Sequence, residues 1–241
     1  MYLFKLIYTW VKLLNTGGRR LGLVRQADWY FDFISPYAYL QFHQLSRLPK
    51  DVEIRLKPTL FAGLLNFWGQ LGPAEIPEKK RHTFQLCRWR AARLGLQFKA
   101  PPRHPFNPLA TLRLAIATGA TMKSVGIIFD YLWAEGQDAQ DQDSLRILAD
   151  RLGVQDLELA TGDEAVKMVL RSNTEEACAA GVYGVPSFVI DGISFWGDDM
   201  MQMMLEWLDD PNILDDPESH RIANLPAAAV RPRPGVSVNS K

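Results

Sequence analysis

Residues 31–40 read FDFISPYAYL, and the Ser35-Pro36 step is the first place where the chain offers side-chain chemistry. Trp29 to Ile34 is rich in aromatic and β-branched residues, which favour a half-buried strand, and Ser-Pro stops such a run. Proline suits the first turn of a helix because it has no N–H to leave unpaired, so Ser35 falls at the N-cap. A hydroxyl there is presented at the strand tip and points into the positive end of the helix. From this stretch alone the cap is the simpler reading. A second candidate lies far along the chain at Gly184-Val185-Pro186. A cis X-Pro bond there would turn the Val185 backbone toward a neighbouring site, whereas a trans bond would merely begin a strand.

The elements that must carry these residues follow from periodicity. Tyr37, Leu40, Leu45 and Leu48 recur at near-helical spacing, and Val52–Leu56 alternates apolar and charged, so strand, helix and strand make a β-α-β unit with parallel strands. From Phe61 to about Thr161 the pattern is helical, with stripes in 84–96, 109–118, 124–135 and 144–152 broken by Pro101-Pro102, Pro105, Pro108 and Gly119. Another helix runs over Asp163–Ala180 to a terminating Gly181. Ser187–Ile190, the turn pair Asp191-Gly192 and Ile193–Trp196 then read as a hairpin, and Gly197-Asp198-Asp199 opens a last helix through Leu208. This order is that of an α/β, thioredoxin-like fold interrupted by an all-helical insertion. It predicts a leader over 1–26, a thioredoxin-like domain from 27–60 and 163–215, a helical insertion domain over 61–162 and a tail over 216–241. In such a fold Val185-Pro186 faces Ser35.

Composition narrows the partners. Twenty-seven basic and 27 acidic side chains cancel, which removes the overall field that nucleic-acid binders rely on. The basic cluster Lys79, Lys80, Arg81, Arg88, Arg90 and Arg93 reads as a solvated helix face that could also hold a carboxylate. Cys87 and Cys178 are far apart with no CxxC, which suggests neither a disulfide framework nor a thiolate metal site and fits a reducing compartment, hence the cytoplasm. His43, His82, His104 and His220 show no ligand spacing and read as surface or packing residues, so no metal is expected. The apolar leader MYLFKLIYTWVKLL is too short to span a bilayer; a disordered or misassigned leader is the simpler reading, an interfacial anchor the sharper one.

From about Asp28 to Leu208 the chain resembles the 2-hydroxychromene-2-carboxylate isomerases and the related kappa-class glutathione transferases, in the superfamily of the bacterial periplasmic disulfide oxidoreductases. The resemblance is carried, in order, by FDFISPYAYL, LKPTLFAGLLNFWG, PEKKRHTFQLCRW, FDYLWAEGQD, SNTEEACAAGVYGVPSFVIDG and FWGDDM. It implies glutathione as cofactor, with the Ser35 hydroxyl donating to its thiolate. It also implies that the Val185 backbone, beside Pro186, pairs with the cysteinyl part, that Lys79 binds a carboxylate, and that Asp198 or, as the better match, Asp199 takes the γ-glutamyl end. Trp196 would wall the site. At Gly69-Gln70 the family commonly has Gly-Asn, so Gln70 keeps the amide and adds a methylene. Residues 35–38 read S-P-Y-A where the redox relatives have C-P-x-C, so no disulfide can form within the motif.

The resemblance further implies a homodimer that isomerises a small aromatic substrate, 2-hydroxychromene-2-carboxylate or a ring-fused analogue. The reaction would proceed by reversible thiolate addition to the conjugated enone of the open form. A transferase or peroxidase acting on electrophiles is the rival enzyme, and a non-catalytic thioredoxin-fold binding or folding-helper protein is the rival of another class.

Overall fold

Strand β1 (Arg25–Phe31) is the hub of a four-stranded mixed sheet in the order β2-β1-β3-β4, formed with β2 (Val52–Pro58), β3 (Ser187–Ile190) and β4 (Ile193–Trp196). The computed structural model describes residues 24–229. β1 runs parallel to β2, with Arg25 opposite Val52 and Phe31 opposite Pro58, and antiparallel to β3, with Ala27 opposite Ile190. β3 and β4 form the hairpin expected around Asp191-Gly192, both of which have positive φ. Being central, β1 is paired along both edges, and Ala27, Trp29 and Phe31 on one of its faces are fully buried. Trp29 stacks on Phe31 at 4.4 Å between centroids, and Phe42 and Phe129 close the aromatic core around them.

Two boundaries differ from the sequence reading. The strand begins at Arg25, inside the expected leader, because pairing with β2 and the Arg25 N–H bond to the Asp51 carbonyl (2.9 Å) supply partners that periodicity does not reveal. It ends at Phe31 rather than Ile34, because the Asp32 side chain turns the chain sharply at that point. The remainder of the expected leader lies outside the described residues.

Helix α1 (Pro36–Phe42) follows, then α2 (Phe61–Trp68), α3 (Pro77–Leu94), α4 (Leu109–Ala117), α5 (Met122–Phe129), α6 (Gln142–Arg151), α7 (Leu157–Gly162) and α8 (Glu164–Ala179). A wider π-type turn over Asp130–Ala134 continues α5. Asp163 caps α8 through the Ala165 and Val166 N–H groups, and Gly181 at φ 80° takes the left-handed conformation that ends it.

The chain forms two compact units, divided between Asp199 and Met200. The helical block is therefore not a unit of its own; it shares one with the sheet, to which hydrogen bonds described below tie it. The second unit holds α9 (Met201–Asp209) and α10 (Pro217–Ala223). α10 lies in the expected tail, and its start is written as Asp216-Pro217: the aspartate accepts from the Glu218 and Ser219 N–H groups, and proline fills the first helical position. No helix of the described residues is long and apolar enough to cross a membrane.

Candidate active site

The turn between β1 and α1 is fixed at successive residues. Asp32 is fully buried, and its two carboxyl oxygens accept from the N–H of Ile34 (3.0 Å) and of Phe61 (2.9 Å). Burial pushes its pKa up to about 7, against the pull of those backbone donors. The buried Trp133 indole, from the π-type turn, donates to the Phe33 carbonyl at 2.8 Å. His104 Nε2 donates to the Ile34 carbonyl at 2.9 Å, which fixes that nitrogen as the protonated one; burial lowers the pKa of the ring. Lys80 in turn donates to the His104 carbonyl. Two residues of the helical block thus hold the two carbonyls that precede Ser35.

Ser35 is the N-cap of α1 and accepts from the Ala38 N–H at 3.3 Å, as the capping reading requires. It does more than that, because its hydroxyl donates to the Val185 carbonyl at 3.2 Å, across 150 residues of sequence. Val185-Pro186 is cis. The Val185 N–H has no partner among the described residues.

The segment after β4 closes the other side. The Gly197 N–H donates to the Pro186 carbonyl at 2.9 Å, and the Gly197 carbonyl accepts from Gln41 of α1, also at 2.9 Å. Asp198 turns inward: its side chain is 1% exposed, 2.8 Å from Gln44 Nε2 and paired with Arg90 Nη2 at 2.7 Å. Burial raises its pKa to about 6, and Arg90 opposes the shift. The carboxylate that the basic face was expected to hold is therefore the protein's own at Arg90, and Asp198 is not free to bind a cofactor. Asp199, its neighbour, is exposed and has no ion-pair or hydrogen-bond partner among the described residues.

Lys79 lies one turn before Thr83 and two before Cys87 on α3, so the three share a face. Tyr37, two residues past Ser35, interacts with the Thr83 and Cys87 side chains, so this face is turned toward α1. The Lys79 side chain is exposed with no hydrogen-bond or ion-pair partner among the described residues, and so is that of Gln70, which follows the left-handed Gly69 at the end of α2. Trp68 of the same helix end donates to the Val182 carbonyl at 2.8 Å, which ties that end of α2 to the loop before Val185. Trp196 is 47% exposed beside Gly184. Ser35, Val185 and Pro186 thus meet directly, while Lys79, Gln70, Trp196 and Asp199 stand on the elements around them.

Sequence reasoning passed over Asp32, Gln44, Tyr183 and the roles of His104 and Trp133. Asp32 carried a signal, an acid three residues before Ser35 in an otherwise apolar run. Both cysteines are free, and burial pushes the Cys87 thiol up to about 12, too high for a nucleophile.

Comparison with known proteins fixes the family, since the model of the DSBA-like thioredoxin domain matches residues 26–209. The chain belongs to the DsbA-like thioredoxin family. Among curated relatives, the 2-hydroxychromene-2-carboxylate isomerase of Pseudomonas sp. (strain C18) is 28% identical over 194 residues, covering 76% of this chain and 89% of that protein. Glutathione S-transferase kappa 1 of Rattus norvegicus is 24% identical over 205 residues, covering 75% and 89%. Among solved structures, a 2-hydroxychromene-2-carboxylate isomerase superposes with a TM-score of 0.66 at 22% identity, covering 80% of this chain and 98% of the other, which establishes the shared fold.

Proposed function

We propose that the protein is a glutathione-dependent isomerase acting on 2-hydroxychromene-2-carboxylate or a ring-fused analogue, as a cytoplasmic homodimer. The observation that carries the reading is Ser35: a serine, not a cysteine, hydrogen-bonded to the carbonyl before the cis-proline. That arrangement suits binding a thiol and not exchanging disulfides. The surrounding groups fit a zwitterionic tripeptide. The unpartnered Val185 N–H suits a peptide carbonyl, the Lys79 ammonium a carboxylate, the Asp199 carboxylate an ammonium and Gln70 an amide. Bound glutathione would supply a thiolate that adds reversibly to a conjugated double bond and so lets it rotate. Ser35 would turn its proton from the Val185 carbonyl to the sulfur and hold the anion, while Val185 fixes the backbone of the tripeptide.

Ser35→Ala tests this. A hydrogen bond to a charged group is worth about 1.5–3 kcal/mol, so the ultraviolet thiolate band of bound glutathione should move up by on the order of one to two pH units, with a matching fall in isomerisation rate near neutral pH. Normal turnover with an unshifted titration would reduce Ser35 to a cap. The similarity to kappa-class transferases favours glutathione conjugation as a second reading, and consumption of glutathione in a product assay would select it.

A further inference from the structure

We propose that the rings of Tyr183 and Trp196 form the shelf on which the flat aromatic body of the substrate stacks. The placement of this shelf beside the reaction centre rests on the reading of Ser35 and Val185 given above. Both rings are large and exposed, 39% and 47%, and they meet at 5.0 Å between centroids with their planes 57° apart. A flat ligand can therefore stack on one ring and present its edge to the other, the two arrangements that aromatic quadrupoles favour.

Neither ring is free to fold away. Trp196 stands opposite Ser187 in the β3-β4 register, and its indole lies on the backbone of Gly184. A methyl group at position 184 would collide with indole Nε1 and come within 3.1 Å of Cδ1 and Cε2, so the missing side chain of Gly184 is what lets the ring lie down there. The loop beneath is held as well: Trp68 fixes the Val182 carbonyl, Ser187 Oγ the Gly184 carbonyl at 2.7 Å, and Ser35 the Val185 carbonyl.

The shelf brackets the reaction centre, with Tyr183 two residues before Val185 and Trp196 opposite the residue that follows Pro186. Phe67 and Trp68 at the end of α2 make a second exposed ring pair, at 5.2 Å between centroids, but the Trp68 indole N–H is already given to the Val182 carbonyl. The Trp196 indole N–H and the Tyr183 hydroxyl have no acceptor or donor among the described residues, so each can serve a ligand oxygen. Two ring faces edged by polar hydrogens suit a fused-ring aromatic bearing a carboxylate or hydroxyl group.

The test uses the full-length protein without glutathione and measures binding of 2-naphthoate by calorimetry, with benzoate as the single-ring control. Wild type should bind 2-naphthoate more tightly than benzoate. Tyr183→Ala should weaken 2-naphthoate about three- to tenfold, and Trp196→Ala at least as much. Gly184→Ala, which removes no aromatic ring but lifts the indole, should also weaken it and serves where Trp196→Ala fails to fold. No binding by wild type, or binding that survives Tyr183→Ala and Gly184→Ala unchanged, overturns the shelf. A change of oligomeric mass in Tyr183→Ala would overturn it in favour of a subunit contact. If 2-naphthoate binding depends on Tyr183 while glutathione fails to bind at all, the shelf stands and the isomerase reading falls.

Discussion

The floor beneath Ser35 and the rim around it are built on opposite terms. In the floor, Asp32 and Trp133 direct their polar atoms, and His104 its Nε2, to neighbouring backbone, and Asp198 gives its carboxylate to Gln44 and Arg90. On the rim, the side chains of Lys79, Asp199 and Gln70 are exposed with no hydrogen-bond or ion-pair partner among the described residues. Asp198 and Asp199 show the contrast within one step of the chain. A buried group that loses its partner is costly, whereas an exposed one loses little, so the two regions should answer mutation in different measurements.

The largest effect is expected at Trp133. Trp133→Ala should cost about 3–5 kcal/mol in urea unfolding, because it empties a fully buried site and orphans the Phe33 carbonyl. A loss under 1 kcal/mol would mean that the floor is looser than its hydrogen bonds indicate.

Next comes the pH dependence of Asp32. Its folded pKa of about 7 lies above its ordinary 3.8, so between those values the folded chain holds more protons than the unfolded one. Stability from this group is therefore greatest below about pH 4, falls as pH rises through the folded pKa, and levels off above it. The decline is on the order of 4 kcal/mol, and Asp198 adds a smaller one of the same sign ending near pH 6. Unfolding of wild type and Asp32→Asn across pH 4.5–8 should show the slope reduced in the variant. Parallel curves would remove Asp32 as its source.

On the rim, Lys79→Ala and Asp199→Ala should leave stability within about 0.5 kcal/mol while weakening glutathione about 10- to 100-fold in calorimetric titration. If either variant unfolds readily and binds normally, it belongs to the floor and the contrast collapses. The smallest effect is the capping contribution of Ser35: Ser35→Ala should cost on the order of 1 kcal/mol in the same unfolding measurement, separate from its effect on the thiolate.

Much of this contrast is legible in the sequence on one side only. The strand-serine-proline-helix order, the hairpin at Asp191-Gly192 and the cap at Asp163 are local signals, and local physics suffices for them. Lys79, Gln70 and Asp199 are singled out by the matching order of segments and not by any local signal. The floor was not found, because His104 and Trp133 act on Ile34 and Phe33 from 70 and 100 residues away, and no periodicity reports a hydrogen bond of that range. The burial of Asp198 is illegible for a related reason: nothing in Gly-Asp-Asp says which carboxylate turns toward Arg90. The early start of β1 depends on its neighbour in the sheet and not on its own residues.

The strand order has a consequence for how the chain comes to be folded. β1 is made first and lies at the centre, yet one of its two neighbours, β3, emerges only after the entire helical block, with Ala27 waiting for Ile190. Until then one edge of this aromatic strand is open to any other extended segment, including another nascent copy. Pairing so distant in sequence raises the contact order, which slows folding through the entropy of closing a long loop. Assembly of the sheet is therefore a late event in synthesis, and shielding of the 25–34 segment during translation is the condition on which the yield of native protein depends.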